Sequence, residues 1–92
     1  MTYSSLTFTN FRVNLNPMPQ LRDKKLLQKI AIVIRELRTR QSLTQEDVYN
    51  DTNIHIGRIE TAKANLSVST LAFLCKYFKI ALSDFYKKVE EL

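Results

Sequence analysis

Apolar side chains between residues 26 and 37 recur at three- and four-residue steps. Leu26, Ile30, Val33, Ile34 and Leu37 form one stripe, which predicts a helix from about Gln20 to Arg40. Ser42-Leu43 interrupts it. Thr44 then offers a hydroxyl to the amide of Asp47, and Gln45, Glu46 and Asp47 suit the positive start of a helix running to Asp51 or Thr52, with Val48 inward. Asn53 fits a left-handed residue after that helix. A third helix is expected from about Ile54 to Ala62, with Ile56 and Ile59 inward. Ser67 caps a fourth, whose Val68, Leu71, Leu74, Cys75 and Phe78 face the core. Ser83 caps a fifth, with Phe85, Val89 and Leu92 in register.

Residues 5–15, SLTFTNFRVNL, follow a different rule. Leu6 and Phe8 alternate with polar neighbours, as do Phe11, Val13 and Leu15, and this two-residue period predicts strand. The step from Phe8 to Phe11 breaks the period as a bulge or turn would. A lone strand leaves its backbone groups unpaired. The arm is therefore expected to pair: as a hairpin, with a second copy, or with another protein. Asn16-Pro17-Met18-Pro19 ends it, because each proline holds the preceding residue extended. The expected organisation is a strand-like arm over residues 1–19 and an all-α, five-helix domain over residues 20–92.

Composition narrows the partner. The 92 residues suffice for one small core. A net charge of +5 favours a polyanion, but its distribution is uneven. Residues 22–40 carry Arg22, Lys24, Lys25, Lys29, Arg35, Arg38 and Arg40 against Asp23 and Glu36. Residues 41–70 carry only Arg58 and Lys63 against Glu46, Asp47, Asp51 and Glu60. The basic excess lies on the first helix, which weakens a purely electrostatic argument for nucleic acid. With one cysteine and one histidine, no intramolecular disulfide forms, and neither a metal site nor a cofactor is expected. There is no phosphate-cradling glycine loop and no nucleophile–base set, so an enzyme is not expected. No apolar run approaches membrane-spanning length and no signal region opens the chain, so the expected location is the cytoplasm, with no membrane partner.

The run IRELRTRQSLTQEDV, then IGRIE, then SVSTLAFLCKYFKIALSDFY, resembles the phage-repressor-like (Xre or Cro/C1-type) helix-turn-helix family over roughly residues 25–88. The shared features are an R-x-x-R first helix, a Leu-Thr-Gln opening of the second, an Ile-x-x-Ile-Glu end of the third and a Ser-x-x-Thr-Leu fourth. The resemblance implies a compact lambda-repressor-like domain in which the third helix enters the major groove. It implies a sequence-specific transcriptional regulator, of repressor type, that binds double-stranded DNA. A homodimer is expected, because one short helix reads too few base pairs. Thr44 and Gln45 would meet a phosphate or base edge at a helix start. Asn53, His55, Gly57 and Arg58 would carry base reading, with Arg58 suited to guanine. Lys63 and Asn65 would grip the backbone, as would Arg38 and Arg40. Arg35 would pair with Glu60 and tie the first helix to the third.

Two departures from the family pattern stand out. From Gln45 to Glu60 there are 15 steps, so close to one helical turn is missing where the second and third helices join. Loss at the front of the third helix is the preferred reading, because Asn53-Ile54 matches a turn residue followed by a buried aliphatic. The alternative has Thr52 capping a third helix of fuller length. The other departure is Ala62, where the family has glycine. A left-handed alanine costs on the order of 1 kcal/mol, so the helix is expected to run on.

Each candidate has a plainer reading. Gln45 can simply complete a cap, His55 can be a surface residue, and Arg58 can pair with Glu46. Gly57 costs about 1 kcal/mol inside a helix, which close approach of DNA or of the second helix would explain. Cys75 reads as a small core residue. Tyr77, Phe78, Phe85 and Tyr86 read as core and dimer contact. For the arm, pairing of two copies is the leading role, and an antitoxin-like module adding a strand to a partner protein is the alternative.

Overall fold

The computed structural model describes residues 23–92, and among them are five helices and no strand. They are α1 (Lys24–Arg40), α2 (Gln45–Thr52), α3 (Ile56–Glu60), α4 (Val68–Tyr77) and α5 (Leu82–Glu90). The strand expected over residues 5–15, and the pairing roles attached to it, lie outside the described residues.

α1 starts later than its periodicity implied. Asp23 is extended, and its carboxylate accepts the Leu26 amide at 3.0 Å, so the helix begins at Lys24 and not Gln20. Its apolar face is the expected one at Ile30, Val33, Ile34 and Leu37 and differs only at its start. Leu27, Ile30, Ala31, Val33, Ile34 and Leu37 are buried, whereas Leu26, expected inward, is exposed. Adjacent residues are about 100° apart round a helix, and the 27-30-31-34 phase is the one that meets the other helices.

α1 packs against α3 and α5, α2 packs against α3, and α4 packs against α5. Ile34, Val48, Ile56, Leu74 and Phe85 are essentially sealed from solvent at the centre. Ser67 caps α4 as expected, with its hydroxyl accepting the Thr70 amide. Ser83 does not cap α5. Ala81 holds the extended cap position with no side-chain bond, and Ser83 falls within the first turn. Val68 and Leu92 were expected inward but are exposed: Val68 is the first residue of α4, and Leu92 lies beyond the end of α5 at Glu90.

Helix ends are closed by left-handed residues, none of them glycine: Ser42, Asn53, Ala62 and Lys79. After α1 the Ser42 amide returns to the Thr39 carbonyl and the Leu43 amide to Arg38. After α4, Lys79 and Ile80 bond to Lys76 and Cys75 in the same way. These paired bonds satisfy carbonyls that a helix end would otherwise orphan. Ala62 contradicts the expectation that α3 runs on. The helix stops at Glu60, and Ala62 accepts φ 58 with its amide bonded to the Ile59 carbonyl.

Candidate nucleic-acid interface

The start of α2 is a reciprocal cap. The Thr44 hydroxyl accepts the Asp47 amide at 2.9 Å, and the Asp47 carboxylate accepts the Thr44 amide at 2.8 Å. These backbone and side-chain bonds to Thr44 hold the Asp47 carboxyl below its usual pKa. The cap also places two acids, Glu46 and Asp47, in the first turn. α2 then runs its full eight residues to Thr52. Asn53 turns left-handed at φ 64, and Thr52 bonds the Val48 carbonyl and the Ile54 amide instead of capping α3. The short helix is therefore α3, with five residues.

Glu60, at the end of α3, is the anchor. Arg38 grips it with both arms, at 2.6 and 2.9 Å, while the third guanidinium nitrogen donates to the Leu43 carbonyl at 2.8 Å. The Glu60 side chain is 2 % exposed and that of Arg38 11 %. Arg35, the partner expected from sequence, stands off at 3.8 Å with a side chain 68 % exposed. Burial works to raise the Glu60 pKa, but the bonds from Arg38 and Gln45 and the charges of Arg38 and Arg35 outweigh it, so the pKa is lowered. Arg38 is thus removed from the expected phosphate contacts, because its planar fork is fully engaged inside the fold.

Gln45 reaches across to the same acid. Its amide nitrogen donates to Glu60 at 3.0 Å. The chain's one glycine gives it room: a Cβ on Gly57 would stand 3.1 Å from the Gln45 Oε1. Close approach of α2 thus gives a reason for the glycine, which falls in the first turn of α3, without invoking DNA.

Gln45, Glu46, Tyr49, His55, Ile56, Gly57 and Arg58 surround a shallow cleft of about 340 Å³ where α2 meets α3. Arg58 is exposed and makes no ion pair among the described residues, not even with nearby Glu46. His55 is exposed at the cap of α3, and its ring stacks on Tyr49 with centroids 4.5 Å apart and planes 29° apart. Sequence reasoning named Gln45, His55, Gly57 and Arg58 but missed Tyr49. Thr44 adjoins the cleft through the chain. Asn53, Lys63, Asn65 and Arg40 do not line it. Lys63 and Asn65 lie in the loop after α3, and Arg40 pairs with Glu36 at 3.0 Å on exposed α1 surface.

The helix-turn-helix family model matches residues 34–85, from the second half of α1 into α5. The chain belongs to the phage-repressor-like (Xre, Cro/C1-type) helix-turn-helix family. Among solved structures this helix-turn-helix chain is similar to the wild-type restriction-modification controller protein C.Esp1396I, with 28% identity and a TM-score of 0.65 over 72% of this chain and 88% of that one. It is also similar to the tetramer of that controller protein in complex with its natural 35 base-pair operator, with 28% identity and a TM-score of 0.64 over 72% and 92% of the two chains. No curated protein matches the chain.

Proposed function

We propose that this helix-turn-helix chain, a DNA-binding transcription regulator, reads the major groove as a homodimer with α3 and the turn before it. One observation carries the reading: Gln45, His55 and Arg58 converge on one exposed face, on a helix fixed from behind by the buried Arg38–Glu60 pair. Arg58 brings a guanidinium suited to two acceptors on guanine. Gln45 and Thr44 lie where a phosphate or base edge would pass. Lys63, Asn65 and Arg40 serve the backbone around that contact, and Asn53, in the turn before α3, belongs with the base-reading residues. The Arg40–Glu36 bond is an exposed pair and opens at little cost.

Five residues of helix are only about 7.5 Å long, so one copy reads few base pairs. Two copies on a palindrome supply the rest. The similar controller protein that binds its operator as a tetramer supports oligomeric binding here. No helix of the described residues is long and apolar enough to cross a membrane, and a regulator of this type works beside DNA in the cytoplasm without catalysis. The acidic balance of residues 41–70 favours a second reading, an antitoxin-like module that binds a partner protein through residues 5–15.

Selection of bound sequences from a random duplex library at physiological salt tests the reading. Enrichment of a palindrome with half-sites about one helical turn apart is expected. Weak, salt-sensitive binding with no enriched sequence contradicts it and turns attention to the protein partner.

A further inference from the structure

We propose that Tyr49 is a positioning residue of the DNA-reading face, holding the His55 imidazole where it contacts DNA. The inference rests on the DNA-reading function above. Tyr49 is an aromatic side chain 38 % exposed, at the surface of α2. It takes no part in the core cluster, whereas Tyr77 packs against that cluster and donates its hydroxyl to Asp51 at 2.5 Å. What Tyr49 does touch is His55, ring on ring at 4.5 Å. Neither the Tyr49 hydroxyl nor an imidazole nitrogen is hydrogen-bonded among the described residues. His55 makes no side-chain cap bond at the start of α3.

The stack therefore supplies the constraint that the missing cap does not. It fixes the plane of a ring whose polar edge stays open, one turn before Arg58 on a helix of five residues. An aromatic partner limits the ring by its flat face, with no demand on either nitrogen. The imidazole edge is left to meet an acceptor or donor on a base edge. A tyrosine from α2 thus extends the reading face past the front end of α3, where the helix itself is absent.

The test uses the duplex enriched by selection and a scrambled duplex of equal length, with affinity read by fluorescence anisotropy and folding by thermal melting. His55→Ala and Tyr49→Ala are each expected to weaken binding to the enriched duplex about tenfold, the range an ordered aromatic contact supports. The double variant is expected to be no weaker than either. Tyr49→Leu, which keeps bulk without a ring, should behave as Tyr49→Ala does, and Tyr49→Phe should restore binding. Affinity for the scrambled duplex should not move. Wild-type binding by Tyr49→Ala and Tyr49→Leu overturns the proposal, as do additive losses or an equal loss on both duplexes. A wild-type protein that prefers no duplex overturns the DNA-reading function itself. If Arg58→Ala weakens binding while the Tyr49 variants do not, only the role of Tyr49 fails.

Discussion

The two ends of α3 are built in opposite ways. Its last residue, Glu60, is buried and held by Arg38 and Gln45, with Arg35 nearby. Its cap residue, His55, has no side-chain capping bond, and its ring stacks on that of Tyr49. Between them lie Gly57, kept small for Gln45, and the exposed Arg58. Five residues are too few to form a helix in isolation, so the closed end supplies the rigidity and the open end is free to meet DNA. The helix is held from behind so that its front can remain bare.

The largest effect belongs to the closed end. Arg38→Ala or Glu60→Ala leaves a buried charge without its partner and should cost about 3–5 kcal/mol in urea unfolding. Glu60 also sets an acid limit. Its folded pKa is lowered, so its contribution is fully present above the unfolded carboxylate value and is lost as pH falls through the lower folded one. Stability should therefore decline below about pH 4.5, and Glu60→Gln should flatten that decline. An unchanged acid slope in Glu60→Gln would remove Glu60 from the account.

Smaller effects follow along the helix. Ala62→Gly relieves a left-handed alanine and should raise stability by about 1 kcal/mol in the same measurement. Gly57→Ala gains helix propensity but presses on the Gln45 amide, an exposed side chain able to shift, so stability should change by less than about 1 kcal/mol. At the open end, Glu46→Gln should leave stability nearly unchanged. Its affinity for any duplex should rise a few-fold, and more at low salt, since an acid beside the reading face opposes phosphate.

The comparison also separates what the sequence makes legible from what it hides. Thr44, Asn53 and Ser67 were readable because a cap or turn depends on residues within three or four positions. Arg35 and Arg38 were not separable, because they lie one turn apart on the same side of α1. Only the phase of α1 against α3 decides which of them reaches Glu60. The same phase decides between Leu26 and Leu27. Ala62 was misread because local cost argued against a left-handed alanine, while α3 is terminated by its tertiary setting. Tyr49 left no local signal: it sits six residues from His55, and only the turn at Asn53 brings the rings together.

Arg58 is the most direct test of this division. The measurement is binding of Arg58→Ala to the enriched duplex, beside its thermal melting curve. Stability within about 0.5 kcal/mol of wild type, with affinity lower by about 10- to 100-fold, is the predicted result. Wild-type affinity for that duplex would contradict the claim that the open end of α3 reads DNA.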